Sequence, residues 1–208
     1  MILLHDYWRS SASYRVRVAL AMKGVAYERH DVNLLKGEQS APDNIARNAQ
    51  GLVPTLEIDG HAIGQSLAII DYIDARFPEP RLIPADPLAR AGTWQRALAI
   101  AADIHPLDNL RVLRRLSAMG IDQAGRDDWY RHWITEGFAA LEQMAGDGTY
   151  LGGDAPDLSD VCLVPQLYNA RRLETPLDAY PRLVAIDAAL AALPAVAAAH
   201  PDRFTPAG

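Results

Sequence analysis

Trp8-Arg9-Ser10-Ser11-Ala12-Ser13-Tyr14-Arg15-Val16-Arg17-Val18-Ala19-Leu20 follows a short apolar run, Ile2-Leu3-Leu4, and precedes Gly24. The apolar run has the length of a buried strand rather than a helix. Val16, Val18, Ala19 and Leu20 include helical spacings and Gly24 offers a stop, so the segment predicts strand, turn, helix. Ser10, Ser11 and Ser13 therefore crowd a helix start. Orphan amides and the positive end of the helix dipole make that position suit an anion or a thiolate. Capping alone is the commonest use of serine there, yet one cap needs one serine. On this stretch by itself both readings stay open.

Outward from it, the chain of 208 residues has room for one large domain or two modest ones. Half of the residues are hydrophobic, enough for a substantial core. A net charge of -6 argues against general nucleic-acid binding, which needs a basic face. The most apolar late segment, Leu183 to Ala199, is broken by Asp187 and Pro194 and reads as helix packing in water, not as a membrane span. The N-terminus enters a strand with no basic-then-apolar leader, so a cytoplasmic protein is expected. A single cysteine, Cys162, excludes an internal disulfide, a CxxC pair and a cysteine-rich zinc site; in its apolar helical run it reads as an inert core thiol. The histidines are scattered without metal-ligand spacing, and no metal is expected.

Tyr27 to Leu34 alternates loosely and predicts a second strand, and Ser40 to Asn48 an irregular helical connection. Val53-Pro54-Thr55-Leu56-Glu57-Ile58, Asp59-Gly60 and His61-Ala62-Ile63 predict a hairpin about a tight turn. Leu67, Ile70, Ile73 and Phe77 then repeat at helical spacing over Ser66 to Phe77. A mixed four-stranded sheet covered by helices follows. Pro78, Pro80, Pro84 and Pro87 interrupt helix formation, which places a first domain at residues 1–79, a linker at 80–87 and a second domain at 88–208. The second domain reads as helical throughout, with long segments near Leu88 to Ser117, Arg126 to Ala145, Leu158 to Leu173 and Tyr180 to Leu193. Asp157-Leu158-Ser159-Asp160 has the form of a capping box. Trp129, Tyr130, Trp133 and Phe138 read as core.

The Ser10 to Leu20 run, the Val53-Pro54-Thr55-Leu56 turn, the Gln65-Ser66 helix start, the proline linker and the helical second half together resemble the glutathione S-transferases. The Ser10 to Leu20 run is similar to the zeta-class signature in particular. Asp103-Ile104-His105-Pro106-Leu107-Asp108-Asn109 and Asp160-Val161-Cys162-Leu163-Val164-Pro165-Gln166 resemble that class's helical domain. The resemblance implies an α/β thioredoxin-like N-terminal domain followed by an all-α C-terminal domain, in a homodimer. It also implies glutathione-dependent cis-trans isomerisation of maleylacetoacetate or maleylpyruvate type acids, in aromatic amino-acid or aromatic-acid catabolism.

By the same resemblance, Ser10 is the catalytic hydroxyl, with Ser11 in support and Ala12 beside it. Gln39 lies at the glycyl end of glutathione, Val53 and a cis Pro54 at its cysteinyl backbone, and Gln65 and Ser66 at its gamma-glutamyl end. Asp103, His105 and Asn109 complete the glutathione set, and Arg9, Arg111 and Arg172 hold a dicarboxylate. Arginine suits that task because it grips carboxylates bidentately, although with only two lysines, Lys23 and Lys36, arginine abundance by itself says little. Arg15 and Arg17 read as structural, and Arg114 and Arg115 as a solvated face.

The chemistry sets its own requirement. A thiol of pKa about 8.5 is only roughly 3% thiolate near pH 7, and lowering it by about two units makes most of it reactive. Two positions depart from the family pattern. Ala12 stands where many members have cysteine, leaving catalysis to glutathione and Ser10, and Asn48-Ala49 replaces Asn-Pro, which predicts a looser loop before Val53. A conjugating or dehalogenating transferase would share this sulfur chemistry, and a non-catalytic binding or scaffold protein would share the fold. A glutaredoxin-like oxidoreductase lacks its cysteine between Ser10 and Ser13.

Overall fold

The computed structural model describes residues 1–206 and divides into two compact units, one of residues 1–82 together with the chain from Leu193 onward, the other of Ile83–Ala192. The first unit runs β1 (Leu3–Asp6), α1 (Ser11–Met22), β2 (Glu28–Asp31), a 3-10 turn (Glu38–Ser40), α2 (Pro42–Arg47), β3 (Thr55–Ile58), β4 (His61–Gly64) and α3 (Ser66–Arg76). The sheet order is β2-β1-β3-β4, with β1 parallel to β2 and antiparallel to β3, and β3 antiparallel to β4. This is the expected thioredoxin-like arrangement.

The first helix is buried without interruption from Ser13 to Leu20. Such a helix has no solvent stripe because neighbours cover it on more than one side. Here α3 packs on it, with Ile69, Ile70 and Ile73 in the core, and so does a short helix near the C-terminus. Arg17, fully buried within α1, donates through Nη1 to both carboxylate oxygens of Asp6 at 2.8 Å, through Nη2 to the Trp8 carbonyl at 2.9 Å and through Nε to the Ala199 carbonyl at 3.2 Å. A buried charge is tolerable only when paired in this way.

The chain divides differently from the expected 88–208 second domain. The C-terminal helix belongs with the first unit because Pro194 breaks the preceding helix and Val196 and Ala199 are buried there, with Arg17 holding Ala199. The start of the proline-rich stretch is also held in that unit. Lys23 Nζ donates to Asp74 Oδ1 and to the Pro80 carbonyl, both at 2.5 Å, and the Leu82 amide donates to Asp74 Oδ1 at 2.7 Å.

The second unit is helical: α4 (Pro87–Leu98), a π-helical segment (Ala99–Ile104), α5 (Leu110–Ala118), α6 (Gln123–Met144), α7 (Leu158–Arg172) and α8 (Pro181–Ala191), after which α9 (Pro194–Ala199) returns to the first unit. One continuous helix from Leu88 to Ser117 does not form. The chain widens into π geometry at Ala99, turns through Pro106, and starts afresh where Asn109 caps α5. The close packing of α6 on the π segment requires Gly137, since a Cβ there would lie 2.2 Å from Ile104 Cδ1. Phe138 and Tyr130 are buried on α6 as expected, while Trp129 and Trp133 are half-buried.

Buried Cys162 sits in α7, whose start is closed by the expected capping box between Asp157 and Asp160. Asp160 also accepts the Leu151 amide at 2.8 Å, and burial pushes its carboxyl up to about 7. No helix among the described residues is long and apolar enough to cross a membrane.

Candidate active site

The sheet register gathers the N-terminal candidates at one end of the first unit. His5 on β1 faces Thr55 on β3, and Thr55 faces Gly64 on β4. The turn after β1, the residues before β3 and the residues after β4 therefore emerge together, and parallel β2 releases its own C-terminal loop toward the same end. Ser10 to Ala12, Val53-Pro54, Gln65-Ser66 and the loop carrying Gln39 occupy these places. Burial of Tyr7, Val32 and Val53 in one apolar cluster, with Trp8 and Leu34 against it, ties three of the four segments by direct contact.

Ser10 is the N-cap of α1: its Oγ accepts the Ser13 amide at 3.3 Å, and its carbonyl accepts the Tyr14 amide at 2.8 Å. Capping and catalysis do not compete at this hydroxyl. The cap uses a lone pair of oxygen, whereas a thiolate takes the proton. Ser11 and Ala12 form the first turn of α1 and are half-buried.

The Val53-Pro54 peptide is cis, in agreement with the expectation. The loop before it is not loose. Asn48 is buried, donates through Nδ2 to the Leu52 carbonyl and to Thr55 Oγ1, each at 3.2 Å, and accepts the Gln50 amide at 3.0 Å. A side chain thus supplies what a proline at Ala49 would have supplied through its ring.

Gln65 precedes α3 at φ 63° and ψ 113°, a positive φ that residues with a side chain rarely adopt, and makes no side-chain cap. Strained backbone of this kind concentrates at functional positions. Its Nε2 donates instead to Gln50 Oε1 at 2.7 Å. Ser66, the first residue of α3, is buried and accepts a 3.0 Å bond from Arg15 Nη1. That bond directs the Ser66 proton away from α1. Gln39 sits in the 3-10 turn, its carbonyl accepting Asn44 Nδ2 at 2.8 Å and its buried Oε1 without a hydrogen-bond partner. Exposed Arg9 lies 5.4 Å from the Trp8 ring.

Arg15, Asn48 and Gln50 shape this end of the sheet and were not among the expected site residues. The Arg15 to Ser66 bond spans 51 residues of sequence. An arginine inside a helix carries no mark of so distant a partner, although a charge amid apolar residues is itself a signal of one.

The remaining candidates lie in the second unit. Asp103 is exposed on the π segment and His105 half-buried just after it. Asn109 Oδ1 is engaged as the α5 cap, accepting the Arg111 amide at 3.1 Å, and Arg111 is exposed one turn on. Arg172 ends α7, its guanidinium 5.6 Å from the Tyr130 ring on α6. A residue absent from the expected set is Asp108, buried after the π segment, where burial pushes its carboxyl up to about 8.

The chain resembles known proteins along its whole length. Residues 4–81 match the family model of the glutathione S-transferase N-terminal domain, and residues 127–198 that of the C-terminal domain. A maleylacetoacetate isomerase of Rhizobium meliloti strain 1021 is 48% identical over 208 residues, covering 98% of each chain. The holo structure of a maleyl pyruvate isomerase, described as a bacterial zeta-class glutathione S-transferase, superposes with a TM-score of 0.93 at 40% identity over 96% of each chain. A maleylacetoacetate isomerase of Methylobacterium extorquens AM1, with bound malonate and glutathione, superposes at 0.91 with 37% identity over 99% of this chain and 100% of that one. With both halves matched by the family models and close relatives covered along their length, the chain belongs to the zeta-class glutathione S-transferases, the family of the maleylacetoacetate and maleylpyruvate isomerases.

Proposed function

We propose that the protein is a glutathione-dependent cis-trans isomerase of a small maleyl dicarboxylic acid, of the maleylacetoacetate or maleylpyruvate type. The observation that carries this reading is the convergence of Ser10, Val53-Pro54 and Gln65-Ser66 at one sheet end, in a chain whose relatives bear isomerase names along their full length. The residues fit the tripeptide: a capping hydroxyl with its proton to give, an extended segment before a cis proline, a second helix start, and the buried, unpartnered Oε1 of Gln39.

When bound, glutathione would supply a thiolate nucleophile, whose reversible addition turns the cis double bond into a single bond free to rotate. Ser10 donates its hydroxyl proton toward sulfur, and Ser11 with the first amides of α1 adds positive potential there. Lowering a thiol pKa by about two units needs roughly 2.7 kcal/mol, within reach of one charge-assisted hydrogen bond and a helix terminus. Ala12 leaves no protein thiol to share the task. Val53 pairs its backbone with the peptide, and Gln65 and Ser66 receive the gamma-glutamyl carboxylate at the α3 terminus. Gln39 would meet the glycyl end, and the family resemblance also assigns Asp103, His105 and Asn109 to glutathione. Arg9, Arg111 and Arg172 hold the substrate carboxylates. We also read the protein as a cytoplasmic homodimer, as the family resemblance implies.

A spectrophotometric assay of maleylacetoacetate and maleylpyruvate, with and without glutathione, tests the reading. Isomerisation is expected only with glutathione. Equal rates in its absence would overturn the scheme.

A further inference from the structure

Arg15 lies one turn into α1, four residues from Ser11 and so on the same face of the helix. It is 3% exposed, and its Nη1 donates to Ser66 Oγ at 3.0 Å. Arg17, two residues on, serves the fold by gripping the Asp6 carboxylate and the carbonyls of Trp8 and Ala199. The Arg15 bond goes elsewhere, to a hydroxyl at the start of a second helix. As a mere cross-link between α1 and α3 it would be a poor choice, because a cation taken out of water is costly and an apolar pair would hold the helices as well.

Ser66 is the first residue of α3 and is 5% exposed. The first turn, Ser66 to Ile69, contains no acidic residue, and Gln65 makes no side-chain cap. The leading amides of α3 therefore take no acceptor from the side chains that ordinarily close a helix start. A serine hydroxyl holds one proton and two lone pairs, whereas a guanidinium only donates. With Arg15 on a lone pair, the Ser66 proton points away from α1, and the charged donor polarises the O–H into a stronger donor itself. The hydroxyl joins the leading amides at the positive end of α3, a set of donors that suits a carboxylate.

We propose that Arg15 is a positioning residue for glutathione: it holds the Ser66 hydroxyl as a donor and so makes the start of α3 selective for a peptide with a carboxylate on its gamma-glutamyl end. This deepens, and rests on, the reading of Ser66 as the ligand of that carboxylate. The cysteinyl end, at Val53-Pro54, is held by backbone and does not depend on Arg15.

The test compares dissociation constants, by calorimetry, for glutathione and for 4-aminobutyryl-cysteinyl-glycine, the same peptide without that carboxylate. Wild type is expected to prefer glutathione by tenfold or more, roughly one charge-assisted hydrogen bond. In Arg15→Met and Arg15→Gln the preference should fall to about threefold or less, through weaker glutathione binding with little change for the shorter peptide. One variant keeps the apolar stem and the other polarity, which guards against one failing to fold. A merely structural arginine would lower both affinities alike, so a wild-type preference in a folded variant would overturn the proposal. Ser66→Ala separates the two layers. If it leaves the preference unaltered, the Ser66 reading fails; if it abolishes the preference while the Arg15 variants keep it, the positioning role alone is lost.

Discussion

The two units recruit their candidate residues by different physical means. In the first, the backbone builds the site: a cap at Ser10, a cis peptide at Val53-Pro54 and a positive φ at Gln65, all delivered to one sheet end by strand register. In the second, charged side chains do so, with Arg111 and Arg172 exposed on their helices. A backbone site is as stiff as the sheet that carries it and changes little without cost to folding. A site of long side chains can be retuned one residue at a time, so in the proposed function the fold sets cofactor recognition and a few positions set acid preference.

The sharpest way to break this contrast is at Ser10. Ser10→Ala is expected to lower kcat roughly 20-fold, about 1.8 kcal/mol, while the KM for glutathione stays within several-fold, because one aimed donor is lost and the backbone cradle is kept. Unaltered turnover would remove the serine from the chemistry.

In the second unit, a larger share of the effect should fall on stability. Asp108 ionises near its ordinary value when unfolded but only at about 8 when folded, so the unfolded state releases its proton first. Native stability therefore falls as pH rises from about 4 toward 8 and levels beyond. Asp108→Asn should gain on wild type through this window, by on the order of 5 kcal/mol at its upper end, as read by denaturant titration. A difference independent of pH would show that the carboxyl is ionised in the folded protein.

Gly137→Ala should cost about 2 kcal/mol, because the added methyl meets buried Ile104 and pushes α6 from the π segment. Thermal unfolding measures it, and a neutral result would mean that the helices separate freely. Arg172→Ala should raise the KM for the dicarboxylate roughly tenfold, about 1.4 kcal/mol, with little change for glutathione. An effect confined to glutathione would dissolve the division of labour between the units.

Much of this was legible along the chain. The Ser10 to Leu20 run, the Asp59-Gly60 hairpin and the Asp157 capping box are local devices, each complete within about a dozen residues, and periodicity plus turn chemistry identifies such devices. The same locality misled between Leu88 and Ser117. There the apolar period continues while the backbone widens at Ala99 and restarts at Asn109, because close approach of α6 at Gly137 selects the geometry.

The sequence by itself determined the order of strands and helices, the helix start crowded with serines and the family to which the chain belongs, since these depend on neighbours in the chain. Only the tertiary structure decided that Arg15 supports Ser66, that Arg17 draws the C-terminal helix into the first unit, and that Asp108 is buried. The first two contacts join residues 51 and 182 positions apart. Their energies come from burial of ionisable groups and from the hydrogen bonds those groups find, which no reading of one stretch at a time contains.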